Sequence, residues 1–199
     1  MKHIFGAILV SLALGIIGPA QAQTSSGHGL DDDEVVQVRT RYLLVGPDGG
    51  AVTDEDFHGR YQLITFGYTA CPDVCPTTLV DMTEILRLLG DDAGGLQSIF
   101  ITVDPERDTP EALKTYTAFF DPRILGLSGS PALVQRAAMN FKIKYAKVPG
   151  EDAESGFYAV DHSAGLYLVG RGGEFIKKFA YGTPASQVAA EIRSIMAAG

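Results

Sequence analysis

Apolar positions along this chain recur with a period of two or of three to four, and each change of period marks an element. A strand is expected within Val35 to Val45, closed by the turn residues GPDGG, and the run YQLITFGY, Tyr61 to Tyr68, predicts a buried strand. From Pro76 to Leu89, the residues Leu79, Met82, Leu86 and Leu89 share one helical face. A strand Leu96 to Val103, a helix Pro110 to Phe120, a short strand around Ile124 to Leu127 and a helix Pro131 to Phe141 follow. The chain closes with a hairpin, Gly165 to Val169 and Glu174 to Tyr181, turned at RGG, and a helix from Pro184 to about Ala197.

Each predicted helix opens in the same way: Cys75-Pro76, Thr109-Pro110, Ser130-Pro131 and Thr183-Pro184. Proline suits the first helical position, where its missing N–H has no partner, and it pushes the preceding residue toward the extended conformation of an N-cap. Three of those residues are capping hydroxyls; the fourth, Cys75, is expected at the same cap position. Strands alternating with helices imply an α/β fold, a central mixed sheet flanked by helices with a closing antiparallel hairpin. A strand, a loop with two cysteines and then a helix is the thioredoxin-like arrangement, with its chemistry beyond the carboxyl ends of the strands.

The amino terminus has a different pattern. MKHIFGAILVSLALGIIGPAQAQ has a basic start, an apolar run from Ile4 to Ile17 and small residues at Ala20 and Ala22, and reads as a signal peptide cleaved after Ala22. An uncleaved inner-membrane anchor is the alternative, although the run is shorter than the roughly 20 residues that span a bilayer. The acidic, polar segment 23–34 reads as a flexible lead-in, and 35–199 as one folded domain. This organisation predicts a periplasmic location. The formal charge of −8 becomes one unit more negative on loss of Lys2, which speaks against nucleic acid as a partner.

Composition then narrows the chemistry. The chain has 2 cysteines, Cys71 and Cys75, in FGYTACPDVCPTTL, too few for a disulfide framework. A cap position would place the Cys75 sulfur at the positive end of a helix and lower its pKa, which serves metal binding and disulfide exchange equally. The three residues between the cysteines leave room for an ion between the sulfurs and also permit a disulfide, so spacing alone keeps both readings open.

Of the 4 histidines, His3 lies in the leader, His28 in the lead-in and His58 in a polar turn. His162, in YAVDHSAGLYLV, stands where a thioredoxin-like fold brings a loop against the cysteines. Two thiolates and an imidazole are a soft set suited to Cu(I), and to Cu(II) with a further ligand, whereas zinc would call for a fourth. Asp161 can orient the imidazole or cap a turn. The cluster DPERDTP, Asp104 to Pro110, ends a strand and reads as scaffold: a turn at Asp104-Pro105, a cap at Thr109 and an ion pair for Arg107. The chain has no GxSxG elbow, phosphate-binding glycine loop or HExxH helix.

FGYTACPDVCPTTL, ITVDPERDTPEALKTY and YAVDHSAGLYLV, in this order and at these separations, closely resemble the Sco/SenC copper proteins, over about Tyr42 to Met196. The resemblance implies a thioredoxin-like copper protein that helps to assemble the copper centre of cytochrome c oxidase, with Cys71, Cys75 and His162 as copper ligands. It implies a metallochaperone whose partners are the copper-receiving oxidase subunit and a periplasmic copper donor or thiol reductant. The alternative is a thiol-disulfide oxidoreductase, with Cys71 and Cys75 as the redox pair, that reduces the cysteines of that subunit. Many members keep a longer membrane anchor, from which this leader departs.

Overall fold

A computed structural model describes residues 38–149 and 158–199. The expected leader, the lead-in, the beginning of the first strand segment, His3 and His28 lie outside the described residues. Nine strands and four α-helices are present in these segments: β1 (Leu43–Val45), β2 (Ala51–Thr53), β3 (Tyr61–Gly67), α1 (Val74–Leu89), β4 (Leu96–Thr102), α2 (Pro110–Phe120), β5 (Ile124–Leu127), α3 (Pro131–Asn140), β6 (Tyr145–Pro149), β7 (Tyr158–His162), β8 (Leu166–Val169), β9 (Phe175–Phe179) and α4 (Ala185–Ala198).

The central sheet has the order β5-β4-β3-β8-β9. Strands β3, β4 and β5 run parallel, with Ile64 opposite Ile99 and Ile99 opposite Leu125, while β8 and β9 complete the sheet antiparallel. All residues of β3 are buried, as a central strand covered on both faces requires, and this explains its unbroken apolar run. Two successive right-handed crossovers in one direction, β3-α1-β4 and β4-α2-β5, place α1 and α2 on the same face. α1 also packs against α4. Phe141, just beyond α3, meets Phe66 of β3 and Tyr167 of β8 at ring-centroid distances of 5.3 and 5.6 Å. The alternation of strands and helices therefore produced the expected α/β architecture with a mixed central sheet.

Two of the four expected helix caps are made. Thr109 accepts from the Ala112 N–H at 3.2 Å and Ser130 from the Leu133 N–H at 3.3 Å. The other two are corrected. α4 begins at Ala185 with Pro184 in the cap position, and the Thr183 hydroxyl turns back to donate to the Ala180 carbonyl at 2.8 Å. α1 begins at Val74 with Asp73 as its cap residue, so Cys75 lies inside the first turn and Pro76 follows it. Proline is tolerated there because N–H groups throughout a first turn lack intrahelical partners.

The periodicity missed three strands. β2 completes a short hairpin with β1. β6 and β7 pair with each other, Tyr145 opposite His162 and Pro149 opposite Tyr158, and form a separate two-stranded sheet. Their residues are mostly exposed or half-buried, with Val160 the buried anchor. With Val160 the one fully buried residue of the pair and only Tyr145 and Tyr158 packed beside it on the core, they carry too little apolar alternation to read.

Candidate metal centre

The cysteine loop leaves β3 at its carboxyl end. Its shape is set by Asp108, which is wholly buried and takes three bonds: from the Thr69 N–H at 3.0 Å, the Thr69 hydroxyl at 2.6 Å and the Thr102 hydroxyl at 2.7 Å. The loop is thus tied to the end of β4. Within it the Cys71 N–H donates to the Tyr68 carbonyl at 3.3 Å, and the free first-turn N–H of Cys75 points to the Cys71 Sγ at 3.4 Å. The sulfur that receives the helix-end amide is therefore Cys71, half-exposed, not Cys75.

Cys75 is 2% exposed and faces the sheet. A side chain on Gly67 would collide with it, since a Cβ there would lie 2.7 Å from the Cys75 Sγ and 2.8 Å from Phe100. The expected lowering of the Cys75 pKa is corrected: burial pushes the thiol upward, a Cys71 beside it adds to this, and a hydrogen bond from the Tyr68 backbone only partly offsets it. A buried neutral thiol becomes a thiolate readily only when a cation takes the place of its proton.

His162 ends β7. Its Nε2 is 3.4 Å from the Cys75 Sγ, and its Nδ1 is 3.2 Å from the Ser163 carbonyl. A carbonyl only accepts, so Nδ1 carries the proton and Nε2 presents its lone pair to the sulfur. Burial lowers the imidazole pKa, against smaller opposing effects of the Ser163 carbonyl and the Asp161 charge, which keeps that lone pair free. Asp161 itself is exposed; the group that orients the ring by a hydrogen bond is the Ser163 carbonyl. The Tyr68 ring meets the imidazole edge-on, with centroids 6.0 Å apart.

The ligand atoms of Cys71, Cys75 and His162 lie within 4.8 Å of one another, and both thiols are free. Sulfur and nitrogen ligands about 2.0–2.3 Å from a shared ion stand about 3.5–4 Å apart, so only a small contraction is needed to hold one. Among the described residues this is the one such group of three or more histidine, cysteine or acidic side chains. A cleft lined by Lys144, Tyr145, Asp161 and Ser163 opens onto His162. A larger cavity, lined by Arg60, Gln97, Lys114 and Arg123, lies at the amino ends of β4 and β5 and contains none of the three ligand residues.

Asp108, Tyr68 and Tyr158 shape the site and were not singled out from the sequence. Asp108 lies in DPERDTP, read as scaffold, and local spacing does not distinguish its buried role from that of the exposed Glu106. His58 lies in the turn after a short 3-10 helix, away from this group, as a surface histidine.

A sequence model of the SCO1/SenC family matches residues 31–197. An SCO2-like protein of Rickettsia conorii is 37% identical over 147 residues, covering 74% of this chain and 71% of that one. The structure of Bradyrhizobium japonicum ScoI with copper bound superimposes with a TM-score of 0.71 at 43% identity, covering 77% of this chain and 96% of that one. BsSco, described as a member of the Sco family of cytochrome c oxidase assembly proteins in which a disulfide switch was identified, gives a TM-score of 0.61 at 26% identity, covering 80% and 94%. The fold is thus the thioredoxin-like one of the Sco proteins, and since the family match runs through the cysteine loop, the DPERDTP segment and the strand ending in His162, the chain belongs to the SCO1/SenC family.

Proposed function

We propose that this chain is an exported copper metallochaperone that holds one copper ion through Cys71, Cys75 and His162 and passes it to a subunit of cytochrome c oxidase. The observation that carries this reading is the convergence of two free sulfurs and one lone-pair nitrogen within 4.8 Å. Thiolate and imidazole ligands suit Cu(I) and zinc alike, and a set of three, with no fourth histidine, cysteine or acidic ligand joining it among the described residues, favours Cu(I) over a four-coordinate zinc site. Cys71 and His162 are both half-exposed while Cys75 is buried, so a receiving protein can engage an outer ligand before the inner one, which suits transfer by stepwise exchange. The signal-like amino terminus supports a periplasmic site of action, with a copper donor or thiol reductant acting upstream.

Metal analysis with Cu(I) and Cu(II) titrations at pH 7, and electron paramagnetic resonance of the Cu(II) form, test the reading. His162→Ala should lose the nitrogen couplings, and its affinity should fall by more than the roughly 10- to 100-fold that an outer partner of a metal ligand contributes. Unchanged affinity for both ions would sink the three-ligand site.

A second reading, thiol-disulfide exchange, is supported by the same proximity of the two sulfurs and by the switch identified in BsSco. Here Cys71 and Cys75 form a disulfide, and their two electrons and two protons convert a disulfide of the target into two thiols. The thiols then leave the metal, so copper binding and reduction exclude each other at any instant. Turnover of an oxidised oxidase fragment without copper, unaffected by His162→Ala, would favour this reading.

A further inference from the structure

The hairpin that carries His162 is not hydrogen-bonded into the central sheet, since β6 and β7 pair with each other. Besides the buried Val160, what fastens it is a set of polar side chains. Asp104, wholly buried beyond the end of β4, forms an ion pair with Arg107 and accepts from the Tyr158 hydroxyl at 2.8 Å. Arg107 grips the same tyrosine twice more. Its Nη1 donates to the Tyr158 carbonyl at 3.0 Å, and its guanidinium lies 3.8 Å from the centre of the Tyr158 ring. Lys147, across the hairpin, covers the ring at 4.6 Å and pairs with Glu106.

An aspartate and an arginine three residues apart could satisfy each other locally. Here both reach across to a residue more than fifty positions later in the chain. Tyr158 opens the strand that His162 closes. Between them the Val160 N–H donates to the Tyr68 hydroxyl at 3.2 Å, and the Tyr68 ring is the one that meets the imidazole. These contacts lead from the DPERDTP loop along β7 to the imidazole ring.

We propose that Asp104, Arg107 and Tyr158 form a latch that positions His162 over Cys75, so that the imidazole is in place before metal arrives. The inference rests on the reading of Cys71, Cys75 and His162 as a metal centre. A ligand held in its bound geometry need not be ordered at the moment of capture, which strengthens binding without adding a contact to the ion. None of the three latch residues touches the metal; they are positioning residues.

Tyr158→Leu removes the hydroxyl and the stacking ring while it leaves the Asp104–Arg107 ion pair intact. In the metal-free full chain, amide hydrogen exchange across β6 and β7 should quicken about tenfold, as expected for losing one bond to a buried charge, while β3 and β4 keep their protection. In Cu(I) competition titrations the same variant should lose about tenfold in affinity. Made in a His162→Ala background, it should lose nothing further, because the latch acts through the imidazole. Arg107→Lys, which keeps the charge but not the planar fork, should show the same pattern and decides the matter if Tyr158→Leu disturbs the core amides. Unchanged exchange in the hairpin, or an affinity loss that persists without His162, overturns the latch. Equal Cu(I) affinity of wild type and His162→Ala would instead overturn the metal-centre reading, and hydrogen exchange would still decide whether these residues hold the hairpin.

Discussion

The two halves of the metal centre are built differently. Cys71 and Cys75 come from a loop and helix end pressed into the core, with Asp108 drawing three hydrogen bonds from two elements and Cys75 packed against β3. His162 comes from a two-stranded hairpin outside the main sheet, held by side chains. One segment, DPERDTP, supplies the anchors of both: Asp108 for the sulfurs, Asp104 and Arg107 for the imidazole. The difference teaches that sulfur placement is coupled to global folding, whereas imidazole placement can change while the core stays intact.

The strongest way to break this contrast is to remove the anchor on the sulfur side. Asp108→Ala leaves the Thr69 and Thr102 donors unsatisfied in the interior, and stability should fall by about 2–4 kcal/mol. Denaturant unfolding should show a lower midpoint, and hydrogen exchange should quicken throughout β3 and β4, unlike the confined change expected for Tyr158→Leu.

Gly67→Ala acts next in size and on the same side. Its methyl would overlap the Cys75 Sγ and the Phe100 ring, and overpacking of this kind costs about 1–3 kcal/mol. Cys75 must shift to relieve it, so Cu(I) affinity should fall together with stability. A variant of normal stability and normal affinity would show that the close approach of strand and sulfur is not required.

The smallest effect belongs to the imidazole itself. Burial lowers the folded-state pKa of His162 below the ordinary value of 6.5, so below about pH 6.5 the unfolded chain binds the proton more readily than the folded one. Stability of the metal-free protein should therefore rise with pH through the window from the lowered pKa up to 6.5 and be lost as pH falls through it. Thermal melts of wild type and His162→Ala between pH 7.5 and 5 check this. Identical slopes would mean that the hairpin does not hold the ring in a dry place.

Much of the fold was legible because its strongest signals come from burial. The run from Tyr61 to Gly67 had to be a covered strand, and the bounds of α2 and β5 followed from proline and apolar spacing. The cap at Cys75 was misread because proline was placed at the first helical position, while the chain enters α1 at Val74, two residues ahead of it. With Cys75 inside the turn and under the sheet, the balance of dipole and desolvation reversed, and desolvation depends on neighbours that local sequence does not name. β6 and β7 escaped notice for a related reason. Strands that bury a single residue leave too short a period in the sequence.

By itself, then, the sequence determined the α/β class and the central strands, which follow from local spacing, and it carried the candidate soft-metal residues together with the motifs by which the chain resembles its family. Tertiary structure decided how those residues act. It brought His162 to 3.4 Å from a sulfur 87 positions earlier, selected the nitrogen that carries the lone pair, and buried one cysteine while leaving the other accessible. These are long-range outcomes of chain packing, and packing sets both the dielectric around a side chain and the distance between two of them.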